Sequence, residues 1–560
     1  MKREDFVKIL LVAPFILNSV SCENKQTDSS LKTKSKIKKK EDNISDEELA
    51  FLLRRTTFGF SNKDFEFCKK IGLKKTIDLL LQDHPAPPHP VNYEYTQDPY
   101  TPIGTTWVDK PYSETIFFTE YRKKSFESWV FKGICQEPKV SIREQMTLFW
   151  HNHFGLSSVM DYKYEYKHDE LLRKNALGNY KELTKEVTID PAMLRFLSGN
   201  GNNRDAPNEN YARELLELYT IGRGKQISVG NYTNYTEEDV RVLSKALTGW
   251  TDVGWYNNYT HIPIKAKFKI LAHDPVPLRL SDAFDNKIIY PTFGRRYKDV
   301  IDIIFSYTET SKFICRKLYR WFVDCNIDDI IEQNIIVPLS NTLIINDFEL
   351  KPVIKQLISS QHFFDQIKST SKTKNPPEYI GNILKFFPFK ISDNLELEYH
   401  FWYQIFNESV SMGLDYLKPP SVAGWKAYYQ SPSYYNSWIN AATLNNKQKF
   451  CNKFFIQGFT YKDDCVKIDI KSWLREYAEN LALGDIIKDL NKKLFVIEFD
   501  KKRIEQIKNI FLNGYNESHW SIEAQRYITE SNKSTSLNQF ESNCRNGLKY
   551  MFTAPEFHLI

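Results

Sequence analysis

Long apolar runs, paired cysteines and the signatures of common catalytic machinery are all missing from this chain of 560 residues. The apolar run near the start, Ile9 to Leu17, falls well short of the roughly 20 residues that a membrane-spanning helix needs. No Cys-x-x-Cys pair occurs, which argues against a structural zinc site of that kind. Nucleophile-elbow Gly-x-Ser-x-Gly, P-loop Gly-x-x-x-x-Gly-Lys-Ser/Thr and zincin His-Glu-x-x-His are absent, so those three enzyme readings lack their signatures. Glycine (21) and proline (24) are scarce and mean hydropathy is −0.49, which excludes collagen-like, wholly disordered and polytopic membrane classes. An excess of one charge is lacking too. The net charge is +6, and residues 1–45 hold +4 of it, so the rest is nearly neutral and carries no basic footprint for nucleic acid.

What is present is a globular composition, 41% hydrophobic and 14% aromatic, behind an unusual start. Residues 1–22 read as an export signal of lipoprotein type. Lys2, Arg3 and Lys8 form a basic segment, the short apolar run follows, and small residues end at Ser21-Cys22. Cys22 is the expected lipidation site, with a soluble secreted protein as the alternative. Residues 23–45 are Lys, Ser, Thr, Asp and Asn with almost no apolar side chain, which predicts a disordered tether. Such a tether would hold the body off a membrane, in the periplasm or at the outer membrane. Without Cys22 seven cysteines remain, an odd number, which rules out a disulfide framework but leaves room for one or two isolated bridges.

The folded body is expected to begin at Ser45-Asp46-Glu47-Glu48, a capping box followed by Leu49, Leu52 and Leu53 at helical spacing. Helical periodicity recurs over Ser141–Trp150, Pro207–Ile221, Thr236–Thr248, Ser311–Val323 and Ile504–Phe511, with weak strand candidates only at Ile262–Ile270 and Leu494–Phe499. The expectation is a mostly α protein, a large multi-helix body over residues 46–560, with a candidate boundary between two lobes at the polar, proline-bearing stretch 369–377.

Several segments, in order along the chain, carry a family resemblance. They are AFLLRRTTFG (Ala50–Gly59), MTLFWHNHF (Met146–Phe154), ALGNY (Ala176–Tyr180), DPAML (Asp190–Leu194) and PNENYARELLELYTIG (Pro207–Gly222). YTEEDV (Tyr235–Val240), ALTGW (Ala246–Trp250), FICRKL (Phe313–Leu318), KPPSVAGW (Lys418–Trp425) and APEF (Ala554–Phe557) follow. Together they resemble the bacterial secreted family of domain of unknown function 1800, which implies an exported, mainly helical protein and supplies no reaction. The chain departs from that family's pattern at Asn175, where many relatives have His, and after His273-Asp274, where Pro-Val-Pro replaces the usual Gly and Lys.

The motif residues suggest one site chemistry. On a regular helix from Pro207, with that proline in the first turn, Tyr211, Ala212, Leu215, Leu216, Leu218 and Tyr219 fall on one apolar arc. Glu209, Asn210, Arg213, Glu214 and Glu217 share the other face, with Arg213 four residues from both Glu209 and Glu217. This is either a carboxylate cluster ordered by Arg213, able to hold a divalent metal or provide a base (Arg213 and Glu214 as catalytic candidates), or a solvated face laced with weak ion pairs. His151 and His153 could ligate one ion only if their helix ends near residue 150 and the chain becomes extended. The expected metal set is then His151, His153, Glu209 and Glu217, completed by His273 and Asp274. A separate aromatic group, Trp425, Tyr428, Tyr429 and Trp438, reads as a stacking platform for polysaccharide or a partner envelope protein, or as a core seam. Two functions therefore stand open: a metal-binding polar site of unknown reaction, and a non-catalytic binding lipoprotein.

Overall fold

The computed structural model describes residues 37–112, 119–136, 140–157, 159, 161–255, 262–367, 372–530 and 534–560. The export signal, Cys22 and the tether up to residue 36 lie outside them. Helices make up most of the described chain, and strands form four two-stranded antiparallel pairs. One of these joins Trp250–Val253 to Lys265–Phe268, within a strand expected from the sequence. Leu494–Phe499, the other expected strand, forms none, because the helix Leu483–Leu494 takes its first residue and the rest is loop.

The first helix, Asp46–Thr56, starts where its capping box predicts, with Ser45 and Glu48 bonding each other's backbone N–H. It is buried almost all round. Leu49, Leu52 and Leu53 are covered, and so are Arg54 and Arg55, at 3% and 1% exposure. Each arginine reaches a backbone carbonyl, Arg54 that of Lys493 at 2.7 Å and Arg55 that of Val323 at 2.9 Å. One apolar core runs without a break from Leu49 to Phe557.

Of the stretch 369–377, where a boundary between lobes was expected, residues 369–371 lie outside the described residues and 372–377 are buried in this core. Lys372, Thr373, Lys374 and Asn375 are all buried. The Lys374 N–H donates to the His558 carbonyl and the Ile560 N–H to the Lys372 carbonyl, both at 2.8 Å. The Lys372 ammonium donates to the Trp321 carbonyl (2.9 Å) and to Glu378 (3.3 Å), while Lys374 donates to the Phe557 carbonyl at 2.9 Å. Polar composition is a poor linker signal here, since these lysines satisfy carbonyls inside the body. The end of the expected tether is docked as well. Lys39 bridges Ser360 as a short antiparallel pair, and Ile37 and Ile44 pack on the core. All seven described cysteines are free thiols, so neither of the isolated bridges forms among them.

Glycine appears where backbones cross. A Cβ on Gly381 would sit 2.3 Å from the Phe58 carbonyl oxygen, and one on Gly59 (φ +138°) would sit 2.6 Å from that of Gly381. Gly133, inside the helix Thr119–Gln136, has no heavy atom closer than 3.9 Å to its missing Cβ. Gly381→Ala should therefore destabilise the protein by about 3 kcal/mol through overpacking, and Gly133→Ala should stabilise it by up to about 1 kcal/mol through helix propensity. Urea denaturation of the two variants measures both signs.

Candidate functional site

The helix Tyr162–Lys174 opens at Asp161, whose carboxylate accepts from the Lys163 N–H, and its outer face borders a cavity of about 650 Å³. Trp129 and Tyr166 supply aromatic wall. The indole N–H of Trp129 donates to the Pro88 carbonyl at 2.5 Å, pinning the proline-rich segment 84–90 along one side. Prolines fix φ and carry no N–H, so that wall is stiff without needing a ladder. Arg173 stacks over Trp129, 4.8 Å from the ring centroid. Its charge is used internally, by Asp169 at 3.2 Å and by Glu144. Lys167 is paired with Asp109. Lys174 and Lys265, on the exposed rim, make no ion pair among the described residues. The cavity is thus apolar and aromatic within, and its lining also carries Lys174 and Lys265 at the exposed rim together with Asp83, which is paired with Lys351, and the half-buried Glu170. Motif residues Ala176, Leu177, Asp190 and Pro191 line it.

Behind this wall is a buried polar network. His168 is fully buried, and its Nδ1 lies 3.0 Å from Asp190, which also caps the helix Pro191–Phe196 by accepting from the Met193 N–H. The acid accepts, so Nδ1 carries the proton, and Nε2 has no partner among the described residues. His151 lies 3% exposed against it, ring centroids 6.2 Å apart, and stacks on Tyr416 at 5.0 Å. Neither of its ring nitrogens has a hydrogen-bond partner of ordinary geometry among the described residues. Burial, and then the neighbouring His168, push its pKa down to about 4. Tyr416 donates to Asp169 at 2.9 Å, which completes the link to Arg173.

His153 faces a different neighbourhood. Its helix, Arg143–His153, does not end near residue 150, so His151 and His153 point apart and cannot share an ion. His153 Nε2 donates to the Tyr219 carbonyl at 3.1 Å, and Nδ1 accepts from the Lys317 ammonium at 3.0 Å. Lys317 also donates to the Leu218 carbonyl (2.9 Å), and burial pushes its pKa down to about 7. Lys317 belongs to the segment FICRKL, but nothing in the sequence singles it out. A lone lysine four residues after Phe313 on an amphipathic helix carries no signal of its own, whereas its neighbour across the fold does.

The carboxylate helix is irregular. It begins at Asn210 rather than with Pro207 in its first turn, and it widens into a π turn over Leu215–Tyr219. The wide turn rotates Glu217 away from Arg213. Arg213 instead grips Glu237 with two bonds (2.6 and 2.8 Å) and Glu209 at 3.1 Å, while Glu217 pairs with Arg223 and accepts from Tyr235 at 3.3 Å. Glu214 makes no ion pair or hydrogen bond among the described residues, and burial followed by the Glu217 charge raises its pKa to about 7. His273 donates from Nδ1 to the Thr248 carbonyl at 2.8 Å, and Asp274 accepts from the Val276 N–H at 3.0 Å, closing a turn. The expected metal set is therefore dispersed. Its imidazoles are buried in separate places, Glu209 and Glu217 bind arginines, and Asp274 closes a turn.

Among the described residues, the group whose ligand atoms come together is Glu94, Glu396 and His400. His400 Nε2 already donates to Glu94 at 2.7 Å, and Lys462 holds Glu396 at 2.6 Å. None of the three is among the candidates read from the sequence; the spacing of Glu396 and His400, four residues apart on one helix, is the signal that could have found that pair, and nothing marks Glu94. The aromatic platform is not at the surface. Trp425, Tyr428 and Trp438 are buried, leaving only Tyr429 exposed, because KPPSVAGW docks on the helix of His151. The Trp425 N–H donates to Asn152 at 2.9 Å, and a Cβ on Gly424 (φ +87°) would lie 2.3 Å from the same side-chain oxygen.

Fold and site together define a helical protein with one continuous core and an aromatic-walled cavity that opens at an exposed rim. The chain belongs to the family described as Protein of unknown function (DUF1800), whose model matches residues 51–559. No curated protein and no solved structure matches it.

A neutral buried His151 has a measurable consequence. Its folded pKa of about 4 lies below its ordinary value of 6.5, so the unfolded chain binds the extra proton between those values and stability falls as pH drops through them. His151→Phe keeps the stack on Tyr416 and removes that penalty. The variant should gain on the native protein by about 1.4 kcal/mol per pH unit between pH 6.5 and 4, read by urea denaturation across that range.

Proposed function

We propose that this protein is exported, held at the cell envelope through Cys22, and binds a small ligand with an aromatic or apolar body and an anionic end in the cavity beside Trp129. The cavity carries this reading. Its volume of about 650 Å³ suits a small organic molecule, its inner wall is aromatic, and Lys174 and Lys265 at the rim have no acidic partner among the described residues. Binding is preferred to catalysis because the lining residues place no nucleophile against a base: the carboxylate of Asp190 is held by His168 and by a helix N-terminus. The tether reading rests on the small residues before Cys22 and on the polar stretch that follows.

Two experiments address it. Fluorescence titration with 1-anilinonaphthalene-8-sulfonate, an aromatic body with an anionic group, should show one saturable site. Lys174→Glu combined with Lys265→Glu should weaken binding about tenfold, equivalent to about 1.4 kcal/mol, and Leu171→Trp should block it. Equal binding by all three proteins would remove the cavity from consideration. For the anchor, metabolic labelling with palmitate in a bacterial host should mark the native chain and not Cys22→Ser; labelling of both, or of neither, defeats the lipoprotein reading.

A further inference from the structure

A second cavity, of about 390 Å³, lies between the helix Ala441–Asn452 and the turn Pro555–His558, with Tyr379 as its inner wall. Gln448 stands exposed at its mouth, and Lys447 and His558 lie at its base, 0% and 4% exposed. The Lys447 ammonium has no hydrogen-bond partner among the described residues, and neither does His558 Nδ1. Both groups address the same ring: Lys447 Nζ is 5.1 Å from the Tyr379 centroid, and the His558 imidazole stacks on it at 5.4 Å with 12° between the planes.

The surroundings offer Lys447 and His558 little negative charge. Groups facing Lys447 and His558 from the packed elements are Lys374, Glu378 and Cys451, with Lys549 beyond them facing Cys451. Glu378 is the one carboxylate among them, and Arg55, Lys372 and Lys374 draw on it too. Lys372 and Lys374 also have backbone carbonyls as acceptors, and Lys549 has Asn452. Lys447 has none among the described residues. An ammonium taken out of water without an acceptor is costly, and an arriving anion would remove that cost.

We propose that this cavity binds an oxyanion, phosphate or carboxylate, whose oxygens accept from the Lys447 ammonium and from the His558 ring. Burial pushes Lys447 down to about 7 and holds His558 well below its ordinary value, so anion binding near pH 8 is accompanied by proton uptake. The site is distinct in residues from the cavity beside Trp129, and its failure would leave that reading untouched.

The test uses the full chain, with thermal melting and calorimetric titration against sodium phosphate and, as the carboxylate arm, sodium acetate; sodium chloride controls for ionic strength. Phosphate or acetate should raise the melting temperature saturably, and the arm that does so identifies the oxyanion. Lys447→Met, close in shape and apolar, should melt higher than the native protein without anion and bind the effective anion at least tenfold more weakly. His558→Gln, which keeps a polar side chain, should weaken binding while still folding. The proposal is overturned if neither anion binds saturably, if Lys447→Met binds as well as the native chain, or if Lys447→Met melts lower without anion.

Discussion

Glu378 is the carboxylate on which the interior of this protein turns. It has no exposure, caps its own helix through Asn375, and is the shared counter-charge for Arg55, Lys372, Lys374 and Lys447. This local cluster of several cations around one carboxylate is tolerated only because most of the cations also reach backbone carbonyls, as Arg54, Arg55, Lys372 and Lys374 do. That requirement fixes distant pieces of chain together: the first helix to the loop after Trp321, and residues 372–374 to residues 558–560. The packing around them follows from where those carbonyls must stand.

Much of the architecture was legible in the sequence. The capping box at Ser45, the helical periods and the scarcity of strands all reflect local rules, and the structure follows them with small shifts of the boundaries. Misreadings came where tertiary contacts decide. Residues 372–377 read as part of a linker because lysine, threonine and proline usually face water, yet the carbonyls of Trp321 and Phe557 replace that water for Lys372 and Lys374. The regular helix assumed after Pro207 fails at a π turn, which no periodicity announces, and the side chains beyond it lose their expected neighbours.

The candidate site shows the same division. That His153 would be buried followed from its stripe on the helix; that Lys317 would meet it did not, since 164 residues separate them. The aromatic residues after Lys418 were visible as a cluster, and the choice between surface and core was settled by a glycine, Gly424, that lets the loop lie flat against Asn152. Histidine, carboxylate and arginine in one motif pointed to a metal. Each histidine of that set is instead buried and held neutral by its burial, Glu209 and Glu217 are each answered by a guanidinium, and Asp274 by a backbone N–H in a turn.

The pairing of residues 372–374 with residues 558–560 also bears on the order in which the fold can close. Without the segment 557–560 in place, Lys374 has no Phe557 carbonyl to donate to, and the edge formed by Lys372 and Thr373 is open. The contact closes a loop of 183 residues, so the entropy of ordering that loop must be met before these buried lysines find their acceptors.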